Sequence, residues 1–223
     1  EPWIDIGNPW DLLKANEMYM QSVERKIDGK VEDNVTIKGN VFVSKGVVIK
    51  SGTYIEGSVW IGEGAVIGPN AYIRGATMLD AKTKVGASSE VKNSIIMSGA
   101  KVPHHNYVGD SIIGRNVNLG SGTKIANLRL DKGEIAIERN GGKINTGRKK
   151  FGAILGDNVS TGINSSINVG TIIGTDSVVG AGKMASGTYP DRLTCPWVSC
   201  IPSILVFQVK PCKPSNANIL AFR

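Results

Sequence analysis

From Val31 onward, aliphatic side chains fall on every sixth residue: Ile37, Val43, Ile49, Ile55, Ile61, Ile67, Ile73, Leu79, Val85 and Val91. Six residues turn an α-helix through about 600°, far from a whole number of revolutions, so no helix keeps such a clock on one side. Four positions after each marker stands a small or β-branched residue: Val35, Val41, Val47, Thr53, Val59, Ala65, Ala71, Thr77, Thr83 and Ser89. A two-site hexad of this kind is the sequence mark of a hexapeptide-repeat β-helix. Each hexad supplies a short strand and a turn, three hexads close a triangular coil, and successive coils pair in parallel about 4.8 Å apart. Glycine and asparagine at Asn34, Gly39, Asn40, Gly46, Gly52, Gly57, Gly64 and Asn70 suit corners that need left-handed backbone angles. The expected fold is all-β: a left-handed parallel β-helix of hexapeptide repeats with a short N-terminal helical segment.

The clock then stutters. Val91 to Ile96 and Val108 to Ile113 are five-residue steps, enclosing the Val102 hexad with its "VPHHNY". Regularity resumes through Leu119 and Ile125, breaks, and returns at Leu155, Thr161, Ile167, Ile173 and Val179. Breaks are where a solenoid can place chemistry. Between the two blocks, "ANLRLDKGEIAIERNGGKINTGRKKFGA" alternates through Ile135 and Ile137 and meets "NGG", which reads as a hairpin or loop leaving the coil over 126–153. Such an excursion is expected to pack on a neighbouring subunit. Ahead of the repeats, Leu12, Leu13, Met18 and Met20 have helical spacing, with an expected N-cap at Asn8 and Pro9 in the first turn. The domain reading is 1–30 as a linker helix, 31–187 as β-helix, and 188–223 as a cap or tail over the last exposed strand edges.

A net charge of +7 favours anionic ligands such as phosphorylated metabolites or nucleotide cofactors. No arginine-rich run or aromatic-basic interleaving points to nucleic acid. Cys195, Cys200 and Cys212 are odd in number and form no disulfide framework or metal knuckle, which fits a reducing cytoplasm. The apolar run "IPSILVFQV" is broken by proline and too short to span a bilayer, so no membrane partner is expected. Both histidines, His104 and His105, stand side by side. Adjacent side chains diverge along an extended backbone, so the pair alone leaves catalytic base, metal ligand and surface residue all open. A three-histidine zinc site cannot be built from two neighbours, and no metal is expected.

The segment "WIDIGNPWDLLKANE" resembles the closing part of a sugar-1-phosphate nucleotidyltransferase domain. "PHHNYVGDSIIGRNVNLGSGTKIANLRLD" and "GRKKFGAILGDNVSTGIN" resemble the C-terminal acetyltransferase domain of bifunctional sugar-phosphate enzymes, archaeal ones above all. The resemblance spans 3–187. It implies a cytoplasmic homotrimer that uses acetyl-CoA to N-acetylate glucosamine-1-phosphate or galactosamine-1-phosphate in UDP-N-acetylhexosamine synthesis. The glycine-rich nucleotide-binding half is missing, so nucleotidyl transfer is expected to be absent from this chain. The competing expectation is a non-catalytic trimerisation or regulatory β-helix.

Residue by residue, the resemblance makes His104, three before Tyr107 in "HHNYVGD", the general base, and leaves His105 without a role. A sugar ammonium titrating near about 8 suits an imidazole of about 6.5. Glu90, fourteen residues earlier and close to one coil below, would fix the base's tautomer. Arg74 and Lys92 would grip the phosphate; their eighteen-residue separation puts them one coil apart on one face. Tyr107, Asn118 and Asn127 would bond the sugar. Ser121 and Ala181 would meet the thioester and pantetheine, and Lys149 and Lys150, with Arg148, the phosphates of acetyl-CoA. One departure stands out: Gly133 occupies a position where the family often has lysine, with Lys132 beside it.

Overall fold

The computed structural model describes residues 3–139 and 141–195. The hexads wind into roughly nine turns of a three-sided parallel solenoid. On the first face, Tyr54 pairs with Tyr72 and Tyr72 with Glu90, eighteen residues per coil, or three hexads. Glu90 then pairs with Tyr107 and Tyr107 with Lys124, seventeen residues per coil. The second face stacks Val59–Ile61, Thr77–Leu79, Ile95–Ile96 and Ile112–Ile113, and continues through Ala153–Leu155 and Thr171–Ile173. The third carries Lys84–Val85 and Lys101–Val102, followed by single bridges at Asn118.

The markers from Val43 to Val91 point inward and are fully buried, and the column continues through Ile96, Val102, Val108, Ile113, Leu119 and Ile125. Sequence period and core therefore coincide, except at the open lower end, where Val31 stays exposed and Ile37 is half-buried. The missing residue of each five-residue step is lost at the corner between the first and second faces. Lower coils turn that corner on Gly39, Gly57 and Gly75; the stuttering coils turn it on Asn93 and Asp110, at φ of 48° and 49°. The excursion leaves from the same corner after Asn127 and returns at Phe151, whose amide donates to the Asn127 carbonyl at 3.0 Å.

The excursion is an antiparallel hairpin of Ala136–Arg139 and Gly142–Asn145; Asn140 of the "NGG" turn lies outside the described residues. Contrary to expectation, it packs on its own protomer. Ile135, Ile137 and Phe151 are buried together with Trp10 and Leu13 of the N-terminal segment against Ile95 and Ile112. The reason is an apolar outer ladder on the second face, where Met78, Ile95, Ile112, Ile154 and Ile172 each precede an inward marker. Left bare, that ladder would be a large exposed apolar strip.

The helix runs Asp11–Met20, with Leu13 and Met20 buried. The expected cap at Asn8 is not made. Its backbone and side-chain amides instead donate to Asp11 Oδ2 at 2.8 and 3.2 Å, and the N-cap position falls to Trp10, which makes no side-chain cap bond. Parallel pairing extends from Lys26–Ile27, which pairs with Phe42–Val43, to Thr194–Cys195, which pairs with Val178–Val179. The rest of the expected cap, with Cys200 and Cys212, lies outside the described residues. Among those described, no helix is long and apolar enough to cross a membrane.

Candidate functional site

Arg74 and Lys92 are lateral neighbours on the first face, as their spacing requires. Arg74 donates through Nε to Glu90 Oε1 at 2.8 Å, and its guanidinium lies 5.3 Å from the Tyr72 ring centre. Lys92 Nζ donates to Asp110 Oδ2 at 3.0 Å. Each cation expected at the phosphate thus already holds a carboxylate. Asn127, one coil above Asp110 at the same corner, donates to the same oxygen at 2.5 Å. Tyr107 stands beside Glu90, and its hydroxyl and the Asn127 amide both crowd the open side of Gly109, where a Cβ would sit 2.7 Å from each. Burial first, then the charges of Glu90 and Asp110, push the Tyr107 phenol above its ordinary value, so it stays a hydrogen-bond donor. Above it lies an open depression of about 230 Å³ lined by Tyr107, Lys124, Ala126, Ser166, Asn168 and Met184.

His104 and His105 occupy the corner between the third and first faces, and the backbone separates their roles. His105 has φ 51° and fills a column of left-handed corner residues that includes Asn70, Ser88, Gly122 and Asn164. Its conformation accounts for it without chemistry, histidine being among the residues that tolerate this region. His104, just before it, is exposed and has no side-chain hydrogen bond among the described residues. One amide bond per coil fixes what stacks on it. His105 donates to Ala87 O, Gly122 to His104 O, Asn164 to Ser121 O and Gly182 to Ile163 O, at 2.8–3.0 Å. His104, Ser121, Ile163 and Ala181 therefore form one vertical column.

That register places Ala87 beneath His104. A coil here holds seventeen residues, so fourteen back falls three short, and Glu90 bonds Arg74 rather than His104 within the protomer. Asn118 is exposed on the third face, bridged to Lys101 and Ser160, across the corner from Tyr107. Lys149 and Lys150 are exposed where the excursion rejoins the coil, at the opposite edge of the first face from the His104 column. Arg148 is bound to Glu17 at 2.5 Å. Lys132 and Gly133 sit in the exposed start of the excursion, next to an Arg129–Asp131 ion pair. Sequence reasoning gave no role to Asp110, Asn93 or Glu17, although Asn and Asp at corners otherwise turned on Gly were a visible signal.

The coil is a hexapeptide-repeat β-helix domain. Residues 55–187 match the family described as the GMPPB C-terminal domain, and the chain belongs to that family. It is 57% identical over 179 residues, 80% of this chain, to the bifunctional protein GlmU of Methanococcus maripaludis strain C7. It is 48% identical over 173 residues, 77% of the chain, to the bifunctional sugar-1-phosphate nucleotidylyltransferase/acetyltransferase of Sulfurisphaera tokodaii. The chain spans 43% of the length of each relative, and is homologous to their C-terminal β-helix acetyltransferase domain. A hexapeptide transferase family protein from Anaplasma phagocytophilum aligns over 71% of this chain and 74% of its own at 16% identity and a TM-score of 0.42; that likeness adds nothing to the assignment.

Proposed function

We propose that this chain is an acetyl-CoA-dependent N-acetyltransferase acting on glucosamine-1-phosphate or galactosamine-1-phosphate, working as a cytoplasmic homotrimer in UDP-N-acetylhexosamine synthesis. One observation carries the reading. The candidate base His104 and the two residues expected to meet acetyl-CoA, Ser121 and Ala181, share one corner column, beside a face that gathers Arg74, Lys92, Tyr107 and Asn127. Arg74 and Lys92 take the sugar phosphate. The sugar ammonium first loses one proton to water, the neutral amine attacks the thioester carbonyl, and His104 accepts the second proton from the attacking nitrogen. Backbone amides stabilise the oxyanion, the C–S bond breaks as the C–N bond persists, and the proton passes from the imidazole to the leaving thiolate. In the protomer His104 faces solvent, so a neighbouring copy is needed to close the cleft. Thiol release from acetyl-CoA in the presence of either sugar phosphate tests the reading, and purified trimer that releases none above background overturns it.

A non-catalytic trimerisation or regulatory module is the second reading. It draws on the carboxylates already paired with both cations, and on His104 making no side-chain bond to a carboxylate among the described residues. On that view His104→Ala changes neither assembly nor activity, because neither form turns over.

A further inference from the structure

We propose that Asp110 is the positioning residue of the sugar-phosphate site, and that Asn93 and Glu17 extend its hold to the N-terminal helix and the excursion. The inference rests on the N-acetyltransferase reading for the identity of the substrate, and on geometry for everything else. Asp110 is 2% exposed. Its Oδ2 accepts from Lys92 Nζ and Asn127 Nδ2, and its Oδ1 from Asn93 Nδ2 at 2.9 Å. Asn93 donates from the same amide nitrogen to Glu17 Oε1 at 2.8 Å, and Arg148 donates to that oxygen as well. Two side chains read as touching the substrate, Lys92 and Asn127, thus hang from one buried carboxylate. That carboxylate is braced in turn by a residue of the Asp11–Met20 helix and one at the close of the excursion.

The corner itself does not need this network. Gly39, Gly57, Gly75 and Gly170 make the same turn with no side chain at all. A buried carboxylate is retained only where donors compensate it, and its donors here are site residues. Lysine has a long flexible stem, and the fixed carboxylate selects which of its rotamers is held. The asparagine and aspartate of this corner belong to the two coils that also carry Lys92 and Tyr107. The network therefore follows the candidate site rather than the solenoid.

The test uses the full chain. Asp110→Asn keeps a residue that tolerates the left-handed corner, and Glu17→Gln changes only the far end of the chain of bonds. With Asp110→Asn, KM for glucosamine-1-phosphate is expected to rise about tenfold or more while KM for acetyl-CoA holds; Glu17→Gln shifts the same constant in the same direction by less. Dilute acetic anhydride labelling mapped by mass spectrometry reads Lys92 without turnover: labelling accelerates severalfold at Lys92 in both variants and is unchanged at the exposed Lys45. An active wild type with the same sugar-phosphate KM in Asp110→Asn overturns the positioning role. If the wild type acetylates neither sugar phosphate, the functional reading falls and labelling decides alone: a selective rise at Lys92 sustains the role, and an unchanged rate removes it.

Discussion

The amide of Gly122 donates to the carbonyl of His104 at 3.0 Å, and that bond seats Ser121 one coil above the imidazole. A parallel solenoid repeats such a relation without drift, because each coil lies in register on the one below. Residues seventeen or more positions apart are thereby held in a fixed line along the edge where an extended acyl donor would run.

His104 is exposed and bears no side-chain bond among the described residues, so removing its imidazole leaves packing untouched. His104→Ala is expected to lower kcat for acetyl transfer by about 10²–10⁴-fold, with unfolding free energy within about 0.5 kcal/mol of wild type. Steady-state kinetics paired with urea unfolding separates the two effects. A similar loss in both would make His104 structural.

His105 gives the opposite pattern. Its φ of 51° suits asparagine or glycine, and a β-branched side chain is strained there. His105→Asn is expected to keep both activity and stability, whereas His105→Val costs about 1–2 kcal/mol. Should His105→Asn abolish turnover as completely as His104→Ala, the assignment of the base between the two histidines fails.

Hexad markers made the coil legible because an inward position is dictated by burial alone, and burial shows in one residue type at a fixed spacing. The column of His104, Ser121 and Ala181 crosses a shortened coil and the excursion, so its members are named by the resemblance and its alignment by the backbone bonds, not by counting along that period. Partners chosen by angle were less accessible. Whether Glu90 meets His104 or Arg74 depends on a three-residue offset within a coil shortened by its stutter. Asp110 looks in sequence like any turn former. The excursion was misplaced for a different reason: its apolar partner is written every third hexad, at Met78, Ile95, Ile112, Ile154 and Ile172, a period of a whole coil rather than of a hexad.

That ladder gives a prediction. Ile137 is fully buried between the excursion and the second face of its own protomer. Ile137→Ala is expected to cost about 2–4 kcal/mol and to raise binding of an apolar fluorescent dye, while the oligomeric state by sedimentation stays the same. A variant that dissociates with unchanged protomer stability would return the hairpin to a subunit interface.

Gly86 lies beneath the proline of "VPHH". A Cβ there would stand 1.8 Å from the Pro103 carbonyl oxygen and 2.7 Å from its carbon, so the backbone must shift to admit it. Gly86→Ala is expected to destabilise by about 1–3 kcal/mol and to lower kcat beyond what the lost stability explains, since the displaced segment carries His104. Activity assayed well below the melting temperature checks this; full activity in a folded variant would show that the corner tolerates the movement.

Alkaline pH reads the Tyr107 environment. Burial and the neighbouring carboxylates raise its phenol above 10, so the native state keeps a proton that the unfolded chain has lost. Between those two values the native state binds more protons. The contribution of this phenol is therefore flat below about pH 10 and is lost as pH climbs through the folded value. Tyr72 shifts the same way, through its hydrogen bond to Glu56, and contributes to the same decline. Tyr107→Phe is expected to make the loss of unfolding free energy between about pH 9 and 11 shallower than in wild type, with Tyr72→Phe accounting for part of what remains. Phenolate absorbance near 295 nm should show one fewer late-titrating tyrosine in each variant. A Tyr107→Phe protein that follows the wild-type curve would mean that this phenol titrates as in water and is not desolvated beside Glu90 and Asp110.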